Sequence, residues 1–255
     1  MIGYLVLAHQ IIAHLALIAV IFFFPFKYLL ITLLMYCLLY CFGGTITYHR
    51  LLSHNSFKPK KWFYYIGSFI GTLSCSGSPI AWVATHLKHH RFTDQESDPH
   101  SMRYLQWYKV QWLTMLVRPE TKYAVHLLRS RYQVFLHRYY FLIHLFYALI
   151  LAAIDYKLIF YFYLAPAALV WEAGSIINTI CHTRGYTNYS IANDSKNNTL
   201  VAWLTFGEGL HNNHHARQSN FDFSRKPNEV DIGGLFIRLL QQKSVHTKTP
   251  ESVNV

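Results

Sequence analysis

Four long apolar runs alternate with polar segments along this chain. They cover residues 3–24, 28–48, 139–154 and 158–180. Each approaches the roughly 20 apolar residues that a helix needs to cross a bilayer, and a spanning helix satisfies its own backbone polar groups. Two short connections, residues 25–27 and 155–157, join the runs in pairs. The pattern therefore predicts an all-α integral membrane protein whose four transmembrane helices form two hairpins.

The polar segments, residues 49–138 and 181–240, are expected to form a helical cap on one side of the membrane. Residues 49–138 and 182–255 together contain 21 of the 23 Lys and Arg residues. Because basic residues concentrate on the cytoplasmic side of membrane proteins, the cap and both termini are predicted to be cytoplasmic. Residues 1–240 form one predicted membrane domain, and residues 241–255 a polar tail.

Two other segments are apolar but fit a span less well. Residues 62–82 contain Gly, Pro and several hydroxyl side chains, and a crossing there would divide the basic residues between the two faces. We therefore predict an interfacial or re-entrant segment. Residues 104–117 are expected to lie on the membrane surface. No cleavable signal peptide is expected, because the first run has neither a basic start nor a small-residue cleavage site.

The composition excludes several classes of protein. The chain is 53% hydrophobic and only 14% charged, whereas soluble domains have roughly 25% charged residues. This apolar content argues against disorder, and four Cys in 255 residues form no disulfide framework. The net charge of +11 does not indicate nucleic-acid binding, because no basic stripe with interleaved aromatic residues lies outside the apolar runs.

Half of the sixteen histidines lie in three clusters, all within the predicted cap. The clusters are His49 and His54; His86, His89 and His90; and His211, His214 and His215. On a helix, residues at i, i+3 and i+4 share a face, so each H-x-x-H-H run is expected to direct its imidazoles toward one point. Imidazole is a neutral ligand for iron, zinc or copper. Eight imidazoles exceed the four to six ligands of one ion, which predicts a site for two metals.

The other histidines carry weaker signals. We expect six of them to be ordinary surface or core residues, namely His9, His14, His126, His137, His144 and His246. His100, in an Asp-Pro-His sequence after the second cluster, has two open roles: it supports the metal site from behind its ligands, or it lies at the surface.

Acidic residues near the clusters are candidates for supporting the ligands. Asp98 and Glu208 either accept a hydrogen bond from the outer ring nitrogen of a ligating histidine or are solvated charges, whereas Asp94 and Glu96 are expected to be solvated. Glu172 lies inside the fourth run and is a candidate functional residue, because ionisable groups within spans are costly. No D-x-x-H or E-x-x-H pair lies in a run, so a carboxylate-bridged bundle site is not supported.

These clusters and their order make the chain resemble the membrane fatty-acid desaturases of the delta-9 acyl-CoA and acyl-lipid type. The matching stretches are residues 49–54, 82–100 and 207–215, and the resemblance covers most of residues 1–240. It implies two iron ions as cofactors and O2 as co-substrate. It also implies a ninth ligand, His182, and a ligand acting through water, Asn178, in an Asn-x-x-x-His element at the end of the fourth run.

The resemblance also indicates where the acyl substrate lies. Trp82 matches a family Trp that lines the bend of the acyl chain, while Gly174 stands where the family has Thr. Ala84 and Thr85 replace an Arg-Asp pair that lies near CoA in animal members. In this respect the chain is similar to bacterial members, which implies a bacterial inner membrane and leaves three acyl carriers open: CoA, a carrier protein or a glycerolipid.

The resulting hypothesis is an O2-dependent di-iron desaturase that introduces a cis double bond, at delta-9, into a long-chain saturated fatty acyl substrate. Its two electrons come from a ferredoxin or a b-type cytochrome with its reductase, because the sequence contains no haem, iron–sulfur or dinucleotide motif. Two alternatives stay open. A related membrane hydroxylase would use the same metals on a lipid but insert oxygen, and a metal transporter would place His and acidic residues within the spans.

Overall fold

The computed structural model describes residues 2–242, and helices form nearly all of its regular structure. Within that range the chain forms isolated β-bridges but no strand. The prediction of an all-α fold is therefore confirmed. The predicted polar tail lies outside the described residues from position 243 onward, and so does His246.

The first two apolar runs form helix α1 (Ile2–Phe23) and helix α2 (Phe26–Ser53). Two residues connect them, and Pro25 is the N-cap of α2, where a fixed φ and a missing N–H are tolerated. Large apolar side chains of α1 are exposed, among them Leu15 and Phe22. An apolar surface of this extent is typical of a helix that contacts lipid.

Helix α2 extends beyond its predicted end at about residue 48. Its second part, Cys37–Ser53, winds in wider, π-type turns; His49 lies inside it and His54 is its C-cap. Turns of this type often occur at functional sites. The hydropathy pattern did not reveal the extension because residues 49–52 are buried within the protein and include polar side chains. Gly43 is required here, since a Cβ would lie 2.7 Å from the Gly71 backbone.

The third and fourth runs form helix α8 (Tyr140–Ile154) and helix α9 (Ile159–Ile180). Like α1 and α2, α9 is long and apolar enough to cross a membrane. Helix α8 has 15 residues and reaches that length only together with helix α7 (Arg131–Arg138), from which it is bent by 68°. Among the described residues, three helices qualify as spans alone, and a fourth qualifies if the bent pair counts as one.

Residues 62–82 do not form a single span. Helix α3 (Lys61–Leu73) and helix α4 (Pro79–Phe92) are separated by a turn, in which Cys75 and Gly77 have positive φ. The segment is therefore two helices joined by a turn rather than one continuous helix. Its depth relative to a bilayer stays a prediction.

The remaining helices are short. Helix α5 (Trp107–Trp112), from the segment expected on the membrane surface, packs against α9, and Trp171 donates a hydrogen bond of 3.0 Å to the Gln111 carbonyl. The other short helices are the 3₁₀ turns Thr114–Leu116 and Thr121–Ala124, then α6 (Val125–Leu128), α10 (Thr199–Leu204), α11 (His211–Ala216) and α12 (Ile232–Leu240).

A buried apolar cluster joins α2, α4 and α12. Its members include Ile46, Leu51, Ile80, Val83 and Ile237. Closely packed apolar side chains of this kind resist displacement, so the cluster fixes α2 and α4 relative to each other. These two helices, with the C-cap of α2, carry five of the eight cluster histidines.

Candidate metal centre

Nine buried or half-buried histidines meet in two adjacent groups. In each group, one ring nitrogen from every member lies within 4.8 Å of those of all the others. Group one consists of His49, His54, His86, His90 and His214, and group two of His89, His182, His211 and His215. The structure thus brings together all eight cluster histidines and the ninth, which the family resemblance implied.

The two H-x-x-H-H runs lie on helices, as the spacing predicts, but each serves both groups. Helix α4 directs His86 and His90 into group one and His89 into group two. Helix α11 directs His214 into group one and the other two of its histidines into group two. The expectation that each run points to one centre is therefore wrong. The i+3 and i+4 positions share a face but are separated by about 100° around the axis, so a helix between two centres supplies both.

The Nε2 atoms within each group face one another. In group one, the separations are 2.8 Å for His54–His86 and 3.0 Å for both His49–His214 and His90–His214. In group two, they are 3.1 Å for His182–His211, 3.0 Å for His211–His215 and 3.4 Å for His89–His215.

These separations fit a shared metal ion in each group. Nitrogens bound to one ion at about 2.1 Å lie about 3.0 Å apart at adjacent corners of an octahedron and about 3.4 Å apart in a tetrahedron. Each neutral imidazole has one lone-pair nitrogen, and lone pairs at this distance repel unless a proton or a cation lies between them. Nitrogen donors suit iron, zinc or copper better than calcium or magnesium.

Carboxylates hold the outer ring nitrogens of three of these histidines. Glu208 accepts a hydrogen bond from Nδ1 of His49, Asp98 from Nδ1 of His89 at 2.9 Å, and Asp94 from Nδ1 of His182 at 3.1 Å. This bond fixes the tautomer and the ring orientation. As a result, Nε2 is the nitrogen that faces the centre of the group.

The acidic residues divide differently from the sequence-based expectation. Asp98 and Glu208 are buried and each accepts a hydrogen bond from a clustered histidine, so solvation is the wrong alternative for both. Asp94 was expected to be solvated, but it is 3% exposed and contacts His182, 88 residues further along the chain. No local pattern signals that contact. Glu96 is exposed, as expected.

Burial favours the neutral form of six of the imidazoles. It lowers the pKa of His54 to about 2, with a further contribution from the neighbouring His49 and His89. The pKa values of five others fall well below the usual value for the same reasons, namely those of His86, His90, His211, His214 and His215. Neutral imidazole is the form that binds a metal.

The supporting carboxylates remain ionised despite their burial. Burial alone would raise the pKa of Glu208, but the charge of Arg50 and the hydrogen bonds from His49 and Arg50 outweigh it and hold that pKa below its usual value. The hydrogen bond from His89 has the same effect on the pKa of Asp98. An ionised carboxylate behind a ligand offsets part of the charge that a cation brings into a buried site.

Two asparagines between the ligands of α11 were missed by the sequence analysis. Asn213 donates to the Phe223 carbonyl at 2.8 Å and to Glu229 at 2.9 Å, and its oxygen accepts from two further Asn amides. Asn212 accepts from the backbone N–H groups of Asn188 and Tyr189. Isolated helices of six residues are unstable, so these bonds hold α11 in place.

Comparison with known proteins identifies the family. A family model described as fatty acid desaturase matches residues 25–219, a range that contains all nine histidines. The chain belongs to the fatty acid desaturase family. It is 32% identical to an sn-2 palmitoyl-lipid 9-desaturase of Nostoc sp. (strain 36), over 90% of this chain and 84% of the relative.

Two other relatives of this desaturase-family chain have similar identity. An sn-1 stearoyl-lipid 9-desaturase of Anabaena variabilis is 32% identical over 83% of this chain and 79% of its own length. An acyl-CoA 5-desaturase of Anemone leveillei is also 32% identical, over 88% of this chain and 73% of the relative. The chain is therefore an oxidoreductase of this family, and its relatives differ in acyl carrier and bond position.

Of the other residues that the resemblance singled out, Trp82 contacts a group-one histidine, whereas Asn178 and Gly174 lie on α9. The Trp82 ring stacks on His86, with ring centroids 4.9 Å apart. Asn178 is half-buried in the last turn of α9, four residues before His182. Gly174 faces open space, because no atom lies within 4 Å of the position of a Cβ. Their roles toward metal and substrate stay predictions.

A cavity of about 550 Å³ opens beside group one. His54 contributes to its wall, together with apolar side chains that include Leu51, Leu87 and Leu127. The cavity therefore borders group one at His54.

The remaining described histidines lie outside both groups, as expected. Four have ordinary partners: His9 contacts Tyr163 at 3.1 Å, His14 contacts Glu172 at 2.9 Å, His126 donates to the Leu52 carbonyl at 2.8 Å, and His137 contacts Ser78 at 2.6 Å. His144 is buried near Cys75. His100 is half-buried with its ring 5.6 Å from that of His89, so it lies beside group two rather than on the surface.

Glu172, the candidate inside the fourth run, joins three elements. Besides His14 of α1, Gln111 and Trp112 of α5 donate to its carboxylate at 2.7 and 2.9 Å. These bonds fasten α1 and α5 to α9. A transporter would place metal-binding groups within the spans, whereas both imidazole groups lie at helix ends and in the segments that follow them.

Proposed function

We propose that this protein is an O2-dependent di-iron desaturase that introduces a cis double bond at the delta-9 position of long-chain saturated acyl groups. One observation carries the proposal: nine imidazole nitrogens form two adjacent groups of ligand geometry in a chain that the fatty acid desaturase family model matches. In this proposal each group holds one iron ion, and Asn178 binds through a water molecule.

The protein's own residues have distinct tasks in this reaction. Bound iron supplies the activation of O2 needed to remove one hydrogen from each of two adjacent methylenes, with water as the other product. The imidazoles remain neutral and hold the ions through Nε2. Asp94, Asp98 and Glu208 keep a proton on Nδ1 of their partners and so prevent these rings from rotating. Trp82, stacked on His86, limits where an acyl chain lies beside group one.

The acyl substrate is proposed to be esterified in a membrane lipid. Two relatives are named as lipid 9-desaturases, and Ala84 and Thr85 replace the charged pair that the resemblance associates with CoA. Burial of each methylene contributes roughly 0.8 kcal/mol, so a long acyl chain gains most of its affinity from apolar walls such as those of the cavity beside His54.

The membrane arrangement and the electron supply are part of the same proposal. We propose four spans with both imidazole groups on the cytoplasmic side, an orientation supported by the 21 Lys and Arg residues of 49–138 and 182–255. A ferredoxin or a b-type cytochrome with its reductase delivers two electrons. The basic face favours an acidic donor, because complementary charge accelerates encounter.

The test is expression in a host whose lipids are fully saturated or of known unsaturation, followed by double-bond mapping of each lipid class by mass spectrometry. We expect new cis-9 monounsaturated chains in glycerolipids, and two irons per purified chain. A hydroxyl group in place of the double bond would identify a lipid hydroxylase, and a double bond at carbon 5 would contradict the regiochemistry. The matched control is His214→Ala, which removes a group-one ligand.

A further inference from the structure

Arg50 follows the ligand His49 in sequence, and its side chain is fully buried. It lies in the middle of a network that the mechanism above does not use. Its Nη1 donates to Asp231 and to the Phe221 carbonyl, both at 2.8 Å. The guanidinium carbon also lies 3.9 Å from the centre of the Phe223 ring. Every polar contact of this cation is therefore made inside the protein.

The same guanidinium binds the carboxylate that supports His49. Nε and Nη2 of Arg50 lie 3.3 and 3.2 Å from Oε1 of Glu208, while Oε2 of Glu208 accepts from Nδ1 of His49. A continuous chain of contacts thus runs from Asp231 through Arg50 and Glu208 to a group-one ligand. Arg suits this position because its planar fork contacts two carboxylates at once.

Asp231 connects this chain to the C-terminal segment. Its carboxylate caps α12 by accepting from the Gly234 N–H at 2.9 Å, and it also accepts from the Phe223 N–H at 2.7 Å. Asp231 is 3% exposed and binds Nη1 of Arg50, whereas Glu208 binds Nε and Nη2. Without Asp231, the buried guanidinium would lose one of its two counter-charges and would move toward other hydrogen-bond acceptors.

We propose that Asp231 and Arg50 are positioning residues of group one: through Glu208 they fix the ring of His49, so that the segment 221–242 completes the metal centre. The inference rests on the proposed function, since it requires a metal ion in group one. It assigns a role to residues beyond the third histidine cluster, which hold no ligand themselves.

The test compares two Asp→Asn substitutions in the same segment. Asp231→Asn keeps a side-chain oxygen that can cap α12 but removes the charge facing Arg50. Asp222→Asn is the matched control, because Asp222 pairs with Arg238 at 2.7 Å at the surface. Iron per chain is measured after dialysis, and Mössbauer spectra are recorded on ⁵⁷Fe-loaded protein. Desaturation rates are measured on the same samples, and circular dichroism gives their helix content.

We expect the wild type and Asp222→Asn to retain two irons with two unchanged Mössbauer doublets. Asp231→Asn should keep its helix content but retain close to one iron, with the Mössbauer doublet of one site altered or lost. Its desaturation rate should fall at least about 10-fold, as for other outer partners of metal ligands. If Asp231→Asn retains two irons and both wild-type doublets, the inference is wrong.

A second variant decides the question if Asp231→Asn does not fold. Arg50→Lys keeps the charge but has a single ammonium group, which cannot reproduce the contacts with both carboxylates. We expect it to lose the same iron to a smaller extent, and full retention of both irons would overturn the inference. Fewer than two irons in the wild type would instead contradict the proposed function, so the two failures are distinguishable.

Discussion

The two imidazole groups use the same type of ligand but differ in access. Three of the five members of group one are half-buried, whereas all four members of group two are buried. Group one also borders the cavity beside His54. An ion in group one is therefore closer to incoming substrate, O2 or chelator than an ion in group two.

The groups also differ in the charged side chains that bind the outer ring nitrogens of their histidines. Group two has two carboxylates, Asp94 and Asp98, and neither forms an ion pair with Lys or Arg within residues 2–242. Group one has Glu208, whose charge is shared with the buried Arg50. Negative charge behind an imidazole raises its basicity as a ligand. Identical ligand types can therefore give unequal sites, and group two should bind its ion more tightly.

The largest expected effect comes from removing one ligand from either group. His214→Ala and His211→Ala should each reduce desaturation by more than about 100-fold, which exceeds the 10–100-fold effect of outer partners. The two variants should differ in metal content. His214→Ala should retain about one iron because group two is intact, and His211→Ala should retain less than one because group one binds its ion more weakly. Elemental analysis and product mapping measure both. His9→Ala, at a half-buried histidine of α1 outside both groups, should behave as wild type.

A second prediction concerns the order in which the ions leave. A hydrophilic chelator should remove one iron at least about 10-fold faster than the other, and the Mössbauer spectrum of the remaining iron should match that of His214→Ala, because both then hold iron in group two only. The affinity of a protein site for a metal ion depends in general on the state and surroundings of its ligands. Release of both irons with a single rate constant would show that the groups are equivalent.

A third prediction tests the charge behind group two. Asp98→Asn should weaken binding of the group-two ion by about 10–100-fold and reduce or reverse the difference in release rates. The matched control is Asp194→Asn, since Asp194 pairs with the exposed Arg103. Competition with a chelator of known affinity gives the measurement. Unchanged binding in Asp98→Asn would mean that Asp98 only fills space.

The smallest effect concerns pH and the metal-free protein. The pKa of His54 is about 2 in the folded protein and about 6.5 when unfolded. The unfolded chain therefore takes up a proton first, so stability falls as the pH decreases from about 6.5, and the loss due to this group continues toward pH 2. His54→Asn should reduce this slope by up to about 1.4 kcal/mol per pH unit. Denaturant unfolding measures it, with His126→Asn as control; an equal slope in both variants would contradict the burial of His54.

Much of the candidate site could be predicted because its signals are local. The same spacing occurs at His86, His89 and His90 and again from His211 onward. Residues with this spacing lie on one face of a helix. The number of imidazoles alone indicated two metals. His182 had no such local pattern, and only the family resemblance implied it.

Other parts of the site could not be predicted, because they depend on distant contacts. Asp94 is adjacent to the second cluster in sequence, yet its partner is His182, and no spacing rule connects them. Arg50 looked like one of many basic residues of the cap, but its two carboxylates come from positions 208 and 231. The allocation of α4 and α11 to both groups depended on how the helices are rotated against each other.

Hydropathy and ligand spacing are properties of neighbouring residues, so the apolar helical segments and eight of the nine histidines were evident in the sequence. The assignment of each histidine to a group, the carboxylate that it contacts and the end of α2 became clear only from the fold. These features arise from packing between elements that are up to about 180 residues apart, as in Arg50 and Asp231. Side chains brought together over such distances share a site only once the whole fold has formed.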